Sequence, residues 1–244
     1  MTNLSVNVNK VATLRNTRNI GIPNVLEAAK VCVAAGANGI TVHPRPDQRH
    51  IRPADVYALA EWISVEFNIE GYPAPAFLEL IREVRPDQCT LVPDAPEAFT
   101  SDHGWDVAAR GKVLESIVGE LESLGVRVSL FMDADPEQIK RAAAVGPSRV
   151  ELYTAPYAEA FAKGDCAAEL QRYVEAAVVA NGLGLGVNAG HDLNLANLGT
   201  FAAAVPGLLE VSIGHALISE ALFMGLDRTV REYVKTLAAP KRPA

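Results

Sequence analysis

Cysteine is scarce in this chain: Cys32, Cys89 and Cys166 are widely spaced and form no CxxC pair. Neither a disulfide framework nor a thiolate zinc site can be built from them, and a reducing, cytoplasmic setting is expected. Basic charge is short as well, with 22 Lys and Arg against 29 Asp and Glu for a net charge of −7. That balance argues against nucleic acid as a partner. An anionic small molecule would therefore need a local positive pocket. No apolar run is long enough to cross a bilayer, and the N-terminus Met1-Thr2-Asn3-Leu4 lacks the basic and apolar regions of a signal peptide. A soluble protein with no membrane partner is expected. Aromatic residues make up only 6% while hydrophobic residues reach 49%, so Val, Ile, Leu and Ala must do most of the packing.

What is present is an alternation of short and long segments. β-rich runs fall at Leu4–Val8, Gly39–His43, Phe67–Glu70, Gln88–Pro93, Arg127–Asp133, Arg149–Thr154, Leu185–Asn188 and Leu209–Ile213. Between them Ala, Leu, Ile and Val recur at helical spacing. Pro23, Pro53, Pro75 and Pro136 sit where helices would begin, and Gly36, Gly125, Gly146 and Gly184 where they would end. Eight strands, each followed by a helix, close into a parallel barrel more readily than they open into a doubly wound sheet. The expected architecture is a single α/β domain, a (β/α)8 TIM barrel over residues 1–237, with 238–244 as a frayed tail.

Side chains alternate faces along a strand, and the polar residues share one parity. Asn7 and Asn9, Thr41 and His43, Asn68 and Glu70, Glu151 and Tyr153, and Glu210 and Ser212 are such pairs. Their neighbours Val6, Val8, Ile40, Val42, Ile69, Val150, Leu152 and Val211 are apolar and should face the helices. A barrel interior this polar is costly unless each group is hydrogen-bonded, hydrated or used by a ligand.

Catalytic groups of such barrels gather at the C-terminal strand ends and the loops after them. Of five histidines, His43, His191 and His215 lie at or just after strand ends, His50 in the loop after His43, and only His103 elsewhere. The segment from His43 to His50 adds Arg45 and Arg49, a composition that suits phosphate. It lacks the HxH or HExxH spacing of a zinc site, so no metal is expected there. Glu70 ends the third strand, where a partly buried carboxylate can act as acid or base, and Gly71 should leave room for a ligand beside it. Gly190-His191 and Gly214-His215 follow strands seven and eight, and a glycine at a helix start exposes N–H groups to phosphate. The polar stretch Asp94–Gly104, which contains Thr100, has the length of an active-site lid. These residues alone describe a barrel enzyme for small phosphorylated substrates, such as a sugar-phosphate isomerase or epimerase, or a non-catalytic barrel kept for assembly or ligand sensing.

A set of segments then resembles one family, the pyridoxine 5′-phosphate synthases. These are Ser5-Val6-Asn7, Ala12-Thr13-Leu14-Arg15-Asn16, Gly39-Ile40-Thr41-Val42-His43 and Arg49-His50-Ile51. They continue with Leu91-Val92-Pro93, Ser129-Leu130-Phe131, Asn188-Ala189-Gly190-His191 and Ile213-Gly214-His215-Ala216. They run in order from the first strand to the last. The resemblance implies a metal-free condensation, without cofactor, of 1-deoxy-D-xylulose 5-phosphate with 3-amino-2-oxopropyl phosphate, in vitamin B6 synthesis. Pyridoxine 5′-phosphate, phosphate and water would be released. It implies that His43 and Glu70 accept protons, that His191 donates one and that Glu151 stabilises charge in the transition state. Asn7, Arg18, the residue after His191 (here Asp192), Gly214 and His215 would hold the aminoketone phosphate. Arg45, His50 and Thr100 would hold the deoxyxylulose phosphate, and a homo-oligomer is implied. Repeated proton shuttling of this kind suits histidines, which titrate near neutrality, beside a tuned carboxylate.

Two departures stand out. The family commonly carries Asp-His where this chain has Asn9-Lys10, and glycine where it has Asp192. Lys10 makes the positive charge permanent and is expected to contact the deoxyxylulose substrate. Asp192 would repel a phosphate unless its carboxylate points away.

Overall fold

The computed structural model describes residues 1–18, 20–94 and 101–239. Its strands are β1 (Asn3–Asn7), β2 (Gly39–Val42), β3 (Glu66–Gly71), β4 (Gln88–Leu91), β5 (Arg127–Met132), β6 (Arg149–Tyr153), β7 (Gly186–His191) and β8 (Leu208–Ile213). All neighbours are parallel and follow chain order, and β1 pairs with β8 to close the barrel. The helices are α1 (Asn9–Asn16), α2 (Val25–Ala34), α3 (Pro53–Trp62), α4 (Pro75–Val84), α5 (Val107–Ser123) and α6 (Pro136–Val145). They continue as α7 (Ala155–Ala162), α8 (Ala167–Gly182), α9 (Leu198–Ala204), α10 (His215–Met224) and α11 (Leu226–Ala238). The protein is thus a (β/α)8 TIM barrel. Among the described residues no helix is long and apolar enough to cross a membrane.

Strand parity divides the molecule as its sequence pattern predicts. Val6, Val8, Ile40, Val42, Ile69, Val150, Leu152 and Val211 are all fully buried in the layer between barrel and helices. There they join helix residues such as Ala29, Leu59, Ile81, Leu121, Ile139 and Val230 in one core. Burial of each branched side chain contributes about 1.5–3 kcal/mol. The other parity points into the barrel, where Asn7, Thr41 and Asn68 stand in register. Ser5 and Thr41 share a hydroxyl contact of 2.7 Å, Asn68 donates to Thr41 at 3.3 Å, and Thr90 donates to Asn68 at 3.1 Å and to Glu151 at 3.3 Å. Below this chain Arg127 pairs with Glu66 at 2.6 Å and donates to Gln88 at 3.1 Å. Arg149 and Asn188 extend the same layer to Glu210.

Pro53, Pro75 and Pro136 each open a helix, as expected. Pro23 does not, because α2 starts at Val25 and the Asn24 side chain caps it by accepting from the Glu27 N–H. Gly36, Gly125 and Gly184 lie just past helix ends with positive φ, and Gly146 caps α6 in the left-handed conformation. The tail residues 240–244 lie outside the described residues, and Ala238 is still helical. Asn9 is the first residue of α1 rather than part of β1, so it is not an inward strand residue.

Gly71 also departs from expectation. It faces the helix layer, and a Cβ there would overlap the Phe77 ring of α4. The missing side chain of Gly71 thus accommodates the Phe77 ring on the helix side rather than a ligand on the lumen side. Gly71→Ala should therefore cost about 1–3 kcal/mol by overpacking. Denaturant unfolding of Gly71→Ala, Phe77→Ala and the double variant should show a smaller penalty for the glycine change once the ring is gone. Equal penalties in both backgrounds would mean that the ring is not what the glycine accommodates.

Candidate active site

The mouth of the barrel is assembled from strand ends. β2 delivers His43, whose backbone N–H donates to the Asn9 carboxamide oxygen at 2.9 Å. The Asn9 N–H in turn donates to Asn7 Oδ1 at 3.0 Å, so the start of α1 fixes where β2 ends. His43 Nδ1 lies 3.8 Å from Glu70 Oε2. Among the described residues the Glu70 carboxylate receives two long hydrogen bonds, from Asn7 Nδ2 at 3.4 Å and from Ser212 Oγ at 3.5 Å. Across the barrel, Glu151 is buried, and Gly190 makes room for it, since a Cβ there would overlap its carboxylate.

His50 meets His43 edge-on at 6.2 Å between ring centroids. Its Nδ1 accepts the Ile51 N–H at 2.9 Å, which places the proton of the neutral ring on Nε2. Arg15 and Asn16 of α1 hold the His50 carbonyl. Arg45 is buried in an ion pair with Asp94, which also accepts the Ser101 hydroxyl at 2.6 Å. His191 ends β7 with φ +103, a conformation that strains a non-glycine residue. Its ring lies against Tyr153 and Phe131 at 5.5 and 6.2 Å, and its Nε2 is 3.1 Å from the Ser101 carbonyl oxygen. A carbonyl only accepts, so Nε2 carries a proton in this arrangement.

Burial, aided by Arg45, holds His43 well below the usual histidine range, and the same causes bring His50 down to about 4. Burial also lowers His191. For Glu70, burial together with the Glu151 and Asp94 charges pushes the carboxyl well above its ordinary value. Burial raises Glu151 to about 7, against the opposing hydrogen bond from Thr90. The resting site therefore holds neutral imidazoles beside a carboxyl that keeps its proton, a set able to pass protons in either direction.

The remaining expected residues divide clearly. Gly214 caps α10 and His215 is that helix's exposed first residue. A Cβ on Gly214 would lie 3.1 Å from Asn7 Cβ and Cγ, so the glycine permits their close approach. Gly190-His191, by contrast, belongs to β7 and opens no helix, since α9 starts only at Leu198. Asp192 is exposed, and its backbone carbonyl accepts from Asn197 Nδ2 at 3.3 Å. Lys10 is exposed on the first turn of α1 and has no hydrogen bond or ion pair among the described residues. Its charge nevertheless helps to lower both His50 and His191. Arg18 is exposed just beyond α1. Thr100 lies outside the described residues. His103 is exposed and paired with Asp102. Asp94 and Ser101 are residues that sequence reasoning passed over individually. The available signal was the need of a buried Arg45 for a counterion.

A closed parallel barrel with a buried acid–base set at its mouth, ringed by Arg45, Lys10 and a glycine-capped helix, defines an enzyme class built for small anionic substrates. The chain belongs to the family described as pyridoxal phosphate biosynthesis protein PdxJ, which it matches over residues 4–239. It is 55% identical to pyridoxine 5′-phosphate synthase of Bacteroides thetaiotaomicron, across 97% of this chain and 100% of that protein. It is 57% identical to the protein of the same name from Xanthomonas oryzae, across 96% of each. Among solved structures, phosphoribosyl anthranilate isomerase from Thermotoga maritima superposes with a TM-score of 0.63 at 14% identity, over 97% of this chain and 98% of that one. That likeness concerns the barrel alone.

The raised Glu70 has a consequence for stability. Its native carboxyl keeps a proton that the unfolded chain has already released, so this group's contribution is present below the usual glutamate range and is lost as pH rises through the native value. Glu70→Gln cannot ionise and should be more stable than the unsubstituted chain by about 1–3 kcal/mol near neutrality. Unfolding measured at about pH 5 and about pH 8 should show that advantage growing with pH. A variant no more stable at the higher pH would mean that Glu70 is ionised in the native protein.

Proposed function

We propose that this chain forms pyridoxine 5′-phosphate from 1-deoxy-D-xylulose 5-phosphate and 3-amino-2-oxopropyl phosphate, releasing phosphate and water. The observation that carries the reading is the convergence of His43, Glu70 and His191 at one barrel mouth, in a chain of this family. In this reading His43 accepts a proton as amine and ketone condense, and Glu70 accepts one after it has given up its own. His191 supplies a proton from the opposite wall to a departing oxygen. Glu151, buried yet titrating near neutrality, offsets positive charge that develops on the substrate nitrogen.

Two anion sites fit the two phosphates. Asn7, Gly214 and His215 form one at the start of α10, where free backbone N–H groups point out of the helix. Arg18 and the backbone at Asp192 complete it. Arg45 and His50 form the other, with Asn9 and Lys10 beside it, and Thr100, outside the described residues, is the further residue proposed for it. Each phosphate is thus held apart from the reacting carbons, so binding energy orients the two substrates for ring closure. A cytoplasmic setting and a homo-oligomer accompany this reading; three free thiols, none in a disulfide, support the first.

The purified chain given both substrates should produce a pyridine chromophore, and neither substrate alone should be consumed. Turnover of one sugar phosphate without the amine would instead favour an isomerase. Glu70→Gln should retain binding while turnover falls on the order of a hundredfold.

Lys10 has no protein partner among the described residues to satisfy, so its charge is available to substrate. Lys10→Ala should raise the KM for deoxyxylulose phosphate by roughly tenfold with little change in kcat, as expected when uniform binding is lost. An unchanged KM would return Lys10 to the role of a surface charge.

A further inference from the structure

Asp94 is a buried carboxylate at the barrel mouth to which the proposed reaction gives no task. It is 3% exposed and follows β4, three residues after Leu91. Its Oδ2 receives both the Arg45 guanidinium and the Ser101 hydroxyl, the latter at 2.6 Å. Its Oδ1 is buried with no hydrogen-bond partner among the described residues. An ion pair this deep is expensive to desolvate and adds little to stability by itself. What it does here is join two walls of the site. Ser101, held through its hydroxyl by Asp94, presents its carbonyl to His191 Nε2 at 3.1 Å. A continuous line therefore runs from Arg45 after β2, through Asp94 and Ser101 after β4, to His191 at the end of β7.

We propose that Asp94 is a positioning residue that holds Arg45 in the deoxyxylulose phosphate site and, through Ser101, sets the ring of His191 for proton donation. The assignment rests on the reaction given above. It couples occupancy of the phosphate site to the geometry of the proton donor, because the same carboxylate oxygen anchors both. Deformation at either end is transmitted through three contacts, Arg45–Asp94, Asp94–Ser101 and Ser101–His191. The strained backbone of His191 is held by its surroundings, and the Ser101 carbonyl is one of the contacts that hold its ring.

The electrostatic surroundings give the proposal its test. His191 faces Asp192 and Asp94 with negative charge and Lys10 and His215 with positive charge, while the rings of Tyr153 and Phe131 flank it. On the far wall its charge is felt by His43. Asp94 raises the pKa of His191, and it also raises that of Glu70. Removing its charge lowers both. Proton donation by His191 is lost at high pH and proton acceptance by Glu70 at low pH, so both limbs of the kcat profile should move to lower pH together.

Asp94→Asn, Asp94→Glu and Ser101→Ala are measured in the full chain with both substrates, at a temperature where circular dichroism shows each to be folded. Product formation by the unsubstituted chain is the control that separates failure of this proposal from failure of the reaction assignment. Asp94→Asn should lose roughly tenfold or more in kcat, raise the KM for deoxyxylulose phosphate by a similar factor and shift both limbs downward. Asp94→Glu, which keeps the charge, should restore the pH profile. Ser101→Ala leaves the Arg45 pair intact and should lower kcat with KM unchanged, a result that stands even if Asp94→Asn does not fold. A folded Asp94→Asn with unmoved KM and pH profile, or a Ser101→Ala variant with full kcat, would overturn the assignment.

Discussion

A polar group inside a closed barrel must find its partner inside the barrel, and this single requirement organises the molecule. The base of the lumen meets it with ionic and amide groups, where Arg127 and Arg149 bind Glu66, Gln88 and Asn188. The middle meets it with the chain from Ser5 through Thr41, Asn68 and Thr90 to Glu151. Buried atoms without a hydrogen-bond partner remain at both ends among the described residues, Glu66 Oε1, Gln88 Nε2 and Glu210 Oε2 at the base and Asp94 Oδ1 at the mouth. Glu70 is left with two hydrogen bonds near the outer limit of length, and a carboxylate so poorly solvated holds on to its proton.

Burial sets the charge state of the site. Neutral imidazoles sit beside a protonated carboxyl because burial disfavours charge on each, and Arg45 adds its repulsion to the histidines. A phosphorylated substrate entering such a site brings negative charge, which favours protonation of the histidines next to it. Proton transfer can then begin in response to binding. A chain of net charge −7 concentrates the positive charge that draws such substrates at its mouth, in Arg45, Lys10 and the start of α10.

Much of this was legible in the sequence. The eight strands were placed within about three residues at their ends, because alternation of polar and apolar side chains has a period of two wherever one face meets the helices. His43, Glu70 and His191 could be singled out because strand ends and chemistry coincided there. Asn9 was misplaced on β1, since a continuing alternation looks the same whether the strand persists or a helix begins. Gly71 was misread because a glycine next to a catalytic carboxylate signals close approach without saying from which side. Phe77 of α4 supplies that approach. The helix expected at Gly190-His191 failed for a related reason: β7 runs on through both residues so that Glu151 can pack against Gly190.

By itself the sequence determined which side chains face the lumen, which face the helices and which strand ends carry chemistry, because those properties follow from local periodicity and residue type. Only the tertiary structure decided that Asp94 would meet Arg45, that Ser101 would reach His191 and that the Asn9 carboxamide would hold the backbone of His43. Those contacts join residues from 34 to 90 positions apart, and no local rule links them. They follow from the closure of the barrel, which brings the ends of β1, β2, β4 and β7 around one opening and leaves buried charges there to find their partners.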